Sequence, residues 1–204
     1  MQNGVGTVRQ RRGEAGKGTG TAPRPGIPDD HGVETAFGRP RNSLNNRFVY
    51  AVISQRARGL SIGVNLNPDK GCNFDCVYCE VDRDNAGGKK KVDIKGMSAE
   101  LESLLSVVAE GRLRGFAWLR NVPSELLELK EVALSGDGEP TLCPNFGEVV
   151  REVLRIRARE KYGSFKIVLI TNGTGLGTPS VLKAVKRLTE KDEVWIKLDV
   201  GSQA

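Results

Sequence analysis

The stretch Cys72-Asn73-Phe74-Asp75-Cys76-Val77-Tyr78-Cys79 places three thiols in one short loop, at the spacing C-x3-C-x2-C. Thiolates packed this closely repel one another unless a metal takes up their charge, which favours a soft, sulfur-bound multi-metal centre. A structural zinc site usually closes with four ligands, and the only other cysteine, Cys143, lies more than sixty positions away. Three ligands leave one metal corner open for a substrate or cofactor. The alternatives are three buried structural thiols, or a zinc site completed by Cys143 or His31.

A second polar segment, Gly136-Asp137-Gly138-Glu139-Pro140, follows the apolar run 131–135. Glycine at the end of a strand lets the backbone approach a ligand closely. The carboxylate of Glu139 is therefore predicted to lie at the edge of a sheet as an acceptor for an ammonium group. The alternative is a plain glycine turn with an exposed carboxylate.

The cysteine spacing, with an aromatic residue before the third cysteine, resembles the radical S-adenosylmethionine (SAM) superfamily. The resemblance covers about residues 60–200, and the segment 136–140 is its second mark. It implies that Cys72, Cys76 and Cys79 hold a [4Fe-4S] cluster, whose fourth iron is chelated by SAM. It also implies an electron donor of the flavodoxin or ferredoxin type.

The same resemblance implies a set of SAM contacts. In the family a Gly-Gly-Glu segment binds the methionyl amino group; here the segment is one residue longer. That role therefore passes to Gly138 and Glu139, with Asp137 as a spacer or polar contact. Tyr78 stands where the family places an aromatic residue beside the adenine. The other expected cofactor-binding residues are Gly136 in the same segment, and Asn172, Lys197 and Asp199, whose positions in the family often touch the ribose or the carboxylate.

Strand and helix patterns alternate along residues 61–199. Strands are predicted at 61–66, 131–135, 166–170 and 194–199, and helices begin at the caps Ser98, Asn145 and Thr178. Such alternation indicates an α/β fold with a parallel sheet, whose carboxyl edge carries the chemistry. The resemblance implies an incomplete partial TIM barrel with about four of six strand–helix units. We therefore expect a fragment, or a chain completed by another polypeptide.

Charge and glycine content divide the chain in two. Residues 1–60 carry 10 Lys and Arg against 4 Asp and Glu, whereas residues 61–204 carry 21 of each. Residues 1–42 are glycine-rich and lack apolar periodicity, which predicts a disordered basic leader before a core domain at 43–204. A neutral core disfavours nucleic acid as a partner. No apolar run is long enough to cross a bilayer, so the expected location is the cytoplasm.

The function that the resemblance implies is reductive cleavage of SAM to a 5'-deoxyadenosyl radical, which removes a hydrogen atom from a substrate that the sequence does not identify. One alternative is a non-catalytic iron–sulfur carrier. Another is a tRNA-modifying enzyme, because wyosine-type radical SAM proteins are similar in the Gly-Glu-Pro-Thr sequence at 138–141.

Overall fold

The computed structural model describes residues 45–79, 81 and 90–197. Its single sheet contains five strands: β1 (Val49–Ser54), β2 (Gly59–Asn65), β3 (Leu129–Ser135), β4 (Lys166–Thr171) and β5 (Glu193–Ile196). They lie in the order β1-β2-β3-β4-β5, with β2 to β5 parallel and β1 antiparallel to β2. The predicted α/β class is confirmed. The leader 1–42 with His31, and the residues Leu198 and Asp199, lie outside the described residues.

Strand β1 was not predicted as a member of the sheet. The strands predicted from the sequence begin at residue 61, but Val49 to Ser54 pair residue by residue with β2. The carboxylate of Glu100 accepts hydrogen bonds from the backbone amides of Arg47, Phe48 and Val49, and so fixes the start of this strand. The sheet is therefore mixed rather than wholly parallel.

Three helices cover one face of the sheet: α1 (Ile94–Ala109), α2 (Phe146–Arg157) and α3 (Pro179–Val185). Right-handed crossovers between successive parallel strands place their helices on the same side. Alternate strand residues point to that side and are fully or almost fully buried, among them Ile62, Leu134 and Leu169. They form one apolar core with the helical residues Leu101, Leu104, Val149, Val153 and Val181.

One predicted helix start was wrong, and the predicted starts at Asn145 and Thr178 are confirmed without a side-chain capping bond. Asp93, not Ser98, caps α1, and its carboxylate accepts from the amide of Lys95 at 3.1 Å. The hydroxyl of Ser98 instead donates to Glu152 at 2.6 Å. Asn145 does stand at the start of α2, but its side chain makes no capping bond. It pairs with both backbone groups of Val92, because burial demands that its amide be satisfied.

The other face of the sheet carries a polar network at its amino edge. The guanidinium of Arg56, in the turn between β1 and β2, lies 3.3 Å from the ring centroid of Trp195 on β5. The same guanidinium lies 3.4 Å from the carboxylate of Glu131, which is fully buried on β3. Arg56 therefore links the turn before β2 to β3 and β5 on this face. The partial barrel that the sequence predicted stays a prediction.

None of the helices in the described part of the chain is long and apolar enough to span a bilayer.

Candidate metal and cofactor site

The carboxyl edge of the sheet brings most of the predicted site residues together. The cysteine loop (residues 71–79) follows β2, and the glycine-acid segment (residues 136–141) follows β3. The amide of Glu139 donates to the carbonyl of Gly71 at 3.0 Å, which joins the two segments directly. Asn172, after β4, lies beside the cysteine loop, and the ammonium of Lys197, after β5, lies 5.2 Å from the ring centroid of Tyr78. The expected position of Asp199 lies outside the described residues.

Gly136 and Gly138 make room for neighbouring protein groups. A Cβ atom on Gly138 would lie 1.9 Å from the carbonyl oxygen of Gly71, and one on Gly136 would lie 2.5 Å from the side-chain oxygen of Asn67. Both distances are shorter than a non-bonded contact allows. The two glycines are therefore needed so that the base of the cysteine loop can pack on the glycine-acid segment. Sequence reasoning assigned this closeness to a ligand.

The carboxylate of Glu139 is 2% exposed and holds the glycine-acid segment to the end of β4. Its Oε1 accepts from the amide and the hydroxyl of Thr141, at 3.0 and 2.6 Å, and from the hydroxyl of Thr171 at 2.5 Å. Its Oε2 accepts from the amide of Asn172 at 2.7 Å. A carboxylate oxygen with three donors has no lone pair to spare, so a further donor would have to approach Oε2.

Thr141 and Thr171 were missed by sequence reasoning, as was Asn65. The side chain of Asn65, at the end of β2, accepts from the amides of Asn67 and Asp137 and donates to the carboxylate of Asp137 at 2.7 Å. Asp137, which lies between Gly136 and Gly138, is therefore also hydrogen-bonded to the end of β2. The sequence did contain a signal for Asn65 and Thr171, since each is a polar residue at the end of a mainly apolar strand.

Three polar side chains form a closed ring of hydrogen bonds, which we call the loop clamp: Asn73, Asn172 and Thr174. The amide of Asn172 donates to Asn73 at 3.0 Å, Asn73 donates to the hydroxyl of Thr174 at 2.9 Å, and that hydroxyl donates to Asn172 at 2.7 Å. Asn73 lies between the first two cysteines. The clamp therefore links the cysteine loop to the end of β4, and gives Asn172 a role within the protein.

Cys72, Cys76 and Cys79 are half-buried and are not joined in disulfides. The loop turns back on itself through a hydrogen bond from the amide of Cys79 to the carbonyl of Cys76 at 2.8 Å. Among the described residues, no group of three or more His, Cys, Asp or Glu side chains is already arranged around a metal position. The donor set itself, three accessible thiols in one turn, fits a sulfur-bound cluster with three protein ligands.

Cys143 does not belong to this donor set. It is buried, and its thiol donates to the side-chain oxygen of Asn145 at 3.4 Å. Burial raises the pKa of this thiol, because a thiolate loses solvation in apolar surroundings. A group held as a thiol is a poor metal ligand. The geometry thus leaves three candidate thiolates rather than four.

Comparison with known proteins agrees with this arrangement. The family model described as the Radical SAM superfamily matches residues 66–203. The chain belongs to the radical SAM superfamily. The match spans both the cysteine loop and the glycine-acid segment, so a soft-metal site with an open corner is what membership in this family leads us to expect.

Curated proteins to which this radical SAM chain is similar include two UPF0026 proteins. A UPF0026 protein of Helicobacter pylori (strain J99) is 28% identical over 156 residues, which is 76% of this chain and 43% of the relative. A UPF0026 protein of Synechocystis (strain PCC 6803) is 28% identical over 160 residues, which is 76% of this chain and 50% of the relative. The chain thus spans half or less of the length of these two relatives. Comparison with solved structures found no match.

Proposed function

We propose that this protein is an iron–sulfur enzyme that binds SAM and cleaves it reductively to initiate radical chemistry. The observation that supports the proposal best is the direct joining of the cysteine loop to the glycine-acid segment, through the amide of Glu139 and the carbonyl of Gly71. Gly71 and Glu139 are 68 positions apart in sequence, yet they meet at the edge where α/β folds place their chemistry.

In this proposal Cys72, Cys76 and Cys79 hold a [4Fe-4S] cluster and leave one iron for SAM. The cluster supplies the electron that splits the SAM sulfonium into methionine and a 5'-deoxyadenosyl radical, which abstracts hydrogen from the substrate. An external donor of the flavodoxin or ferredoxin type reduces the protein. The sheet of this chain is proposed to belong to a partial barrel.

The residues of the chain bind and orient SAM. Glu139 accepts the methionyl ammonium at Oε2, the carboxylate oxygen with one protein donor. Gly136 and Gly138 have no side chains and so leave room at that edge of the sheet. Asp137 stays hydrogen-bonded to Asn65. Tyr78 packs on the adenine, and Lys197, whose ammonium lies 5.2 Å from the ring centroid of Tyr78, pairs with the SAM carboxylate. Asn172 and Asp199 are proposed as contacts to the ribose.

The test is anaerobic reconstitution with iron and sulfide, followed by iron analysis and electron paramagnetic resonance of the reduced protein. We expect about four irons per chain, a spectrum that changes when SAM is added, and 5'-deoxyadenosine after reduction with dithionite. Cys76→Ala should lose the cluster, whereas Cys143→Ala, the matched control, should keep it. Equal iron in the Cys76→Ala and unchanged proteins would contradict the assignment. A cluster that binds SAM without forming 5'-deoxyadenosine would favour the non-catalytic alternative.

A further inference from the structure

A groove of about 280 Å³ lies between α2 and α3 on the helical face of the molecule. Its floor is formed by small residues: a Cβ atom on Gly147 would lie 3.7 Å from the Cβ of Ala184, so the two helices approach closely there. Its sides carry three cations, Arg151 from α2, and Lys183 and Arg187 from α3 and the turn that follows it. Glu148 is the one carboxylate among the lining residues.

The three groove cations have no anionic partner within the described part of the chain. Three arginines further along α2 and beyond its end are different, since each forms an ion pair: Arg155 with Glu152, Arg157 with Asp192, and Arg159 with Glu102. The guanidinium groups of these three arginines are therefore neutralised, whereas the three groove cations are not. An uncompensated cluster of cations in a concave surface attracts anions.

The groove begins at the same edge of the sheet as the candidate metal site. Helix α2 starts after β3 and α3 starts after β4, so the amino ends of both helices lie at the carboxyl edge of the strands. Pro144 and Asn145, at the upper end of the groove, follow the glycine-acid segment by only a few residues. A long ligand in the groove would therefore run towards the cysteine loop.

We propose that this groove binds the phosphodiester backbone of a nucleic acid. The cations are exposed, and Lys183 and Arg187 lie one helical turn apart on one side with Arg151 across from them. That arrangement suits successive phosphates along an open surface, whereas a single small anion is usually enclosed by buried donors. The inference goes beyond the proposed function and does not depend on the cluster.

The test is fluorescence anisotropy with the full-length protein and a labelled single strand of about 16 nucleotides, made as RNA and as DNA of the same sequence. Affinity is measured between about 50 and 200 mM salt. The variant Arg151→Gln/Lys183→Gln/Arg187→Gln should bind about tenfold more weakly. The slope of log affinity against log salt should fall in magnitude by about 2, since each lost phosphate contact removes about 0.7. The RNA and DNA arms identify which nucleic acid is preferred.

Two further variants distinguish binding in the groove from a general effect of the protein's positive charge. Arg112→Gln/Arg120→Gln/Lys161→Gln removes the same charge from exposed positions at the opposite edge of the sheet, and should leave the slope unchanged. Lys183→Arg/Arg187→Lys keeps the groove charge and should bind like the unchanged protein. Equal weakening by the two triple variants would refute the proposal, as would absence of binding or full displacement by inorganic phosphate. Iron content should be the same in every variant, so this test can fail while the proposed function stands.

Discussion

The cysteine loop and the glycine-acid segment lie side by side but are built in opposite ways. The loop exposes its apolar side chains: Phe74 is 40% and Val77 102% exposed. In the glycine-acid segment Pro140 and Thr141 are buried, and the carboxylate of Glu139 takes up four hydrogen bonds. The end of the segment is buried and hydrogen-bonded by the protein, whereas the tip of the loop has apolar side chains on the surface. We infer that the segment is a rigid base and that the loop takes its final shape from what it binds.

The largest effect should come from removing the space in the rigid base. Gly138→Ala would place a Cβ atom 1.9 Å from the Gly71 carbonyl and push the cysteine loop away. We expect the free energy of unfolding to fall by about 3 kcal/mol, measured by urea denaturation. Gly177→Ala is the control, because its Cβ would meet nothing within 4 Å. Similar losses in the two variants would show that the close packing at Gly138 is not rigid.

A smaller loss should follow from weakening the carboxylate of the base. Glu139→Gln keeps the shape but replaces one acceptor oxygen by a donor, which faces the amide of Asn172 or the two threonine hydroxyls. The expected loss of unfolding free energy is about 2 kcal/mol, because a buried donor loses its charged acceptor. Glu125→Gln, at an exposed position, should change the unfolding free energy by less than about 0.5 kcal/mol. If Glu139→Gln is equally neutral, Glu139 does not hold the segment.

The loop clamp, which links the cysteine loop to the end of β4, should contribute less to stability. Thr174→Val removes the hydroxyl that bonds both Asn73 and Asn172, in an exposed setting. We expect a loss of about 1 kcal/mol or less, together with faster amide hydrogen exchange across residues 72–79. Thr178→Val, whose side chain makes no capping bond, is the matched control. Unchanged exchange in the cysteine loop would mean that the clamp does not restrain it.

The smallest effect on stability is expected at the tip of the loop itself. In iron-free protein Cys76→Ala should change the unfolding free energy by less than about 0.5 kcal/mol, since Cys76 is half-buried and its backbone carbonyl, not its thiol, closes the turn. The same substitution is expected to abolish iron binding, so ligand binding and fold stability are predicted to separate. A large loss of stability would indicate that the thiol is a structural core residue.

Much of the sheet could be read directly from the chain. Apolar runs such as 166–170 admit few structures other than a buried strand, and the structure places β4 there with one residue more. Local signals failed where a distant partner competed for the same group. Asn145 has the sequence of a capping residue, yet its side-chain amide pairs with the backbone of Val92. Ser98 was predicted to cap α1, yet its hydroxyl donates to Glu152 on α2.

In the candidate site, too, local features could be predicted from the sequence and contacts between distant residues could not. The residue types and spacings of Cys72, Cys76, Cys79, Gly138 and Glu139 were enough to predict a soft-metal site and its family, because thiol ligation depends on the chemistry of a short local segment. The supporting residues Thr141, Thr171 and Asn65 could not be identified in advance. Each acts through a partner on another strand, and a sequence contains no distances.

The sequence by itself determined the family, the alternation of strands and helices and the three candidate thiols, since each follows from short-range pattern and side-chain chemistry. Only the tertiary structure decided that β1 joins the sheet in antiparallel pairing, that Gly138 is required by the Gly71 carbonyl, and that three unpaired cations share one groove. The physical reason is that hydrogen bonding, close packing and charge pairing between remote segments depend on where the folded chain places them.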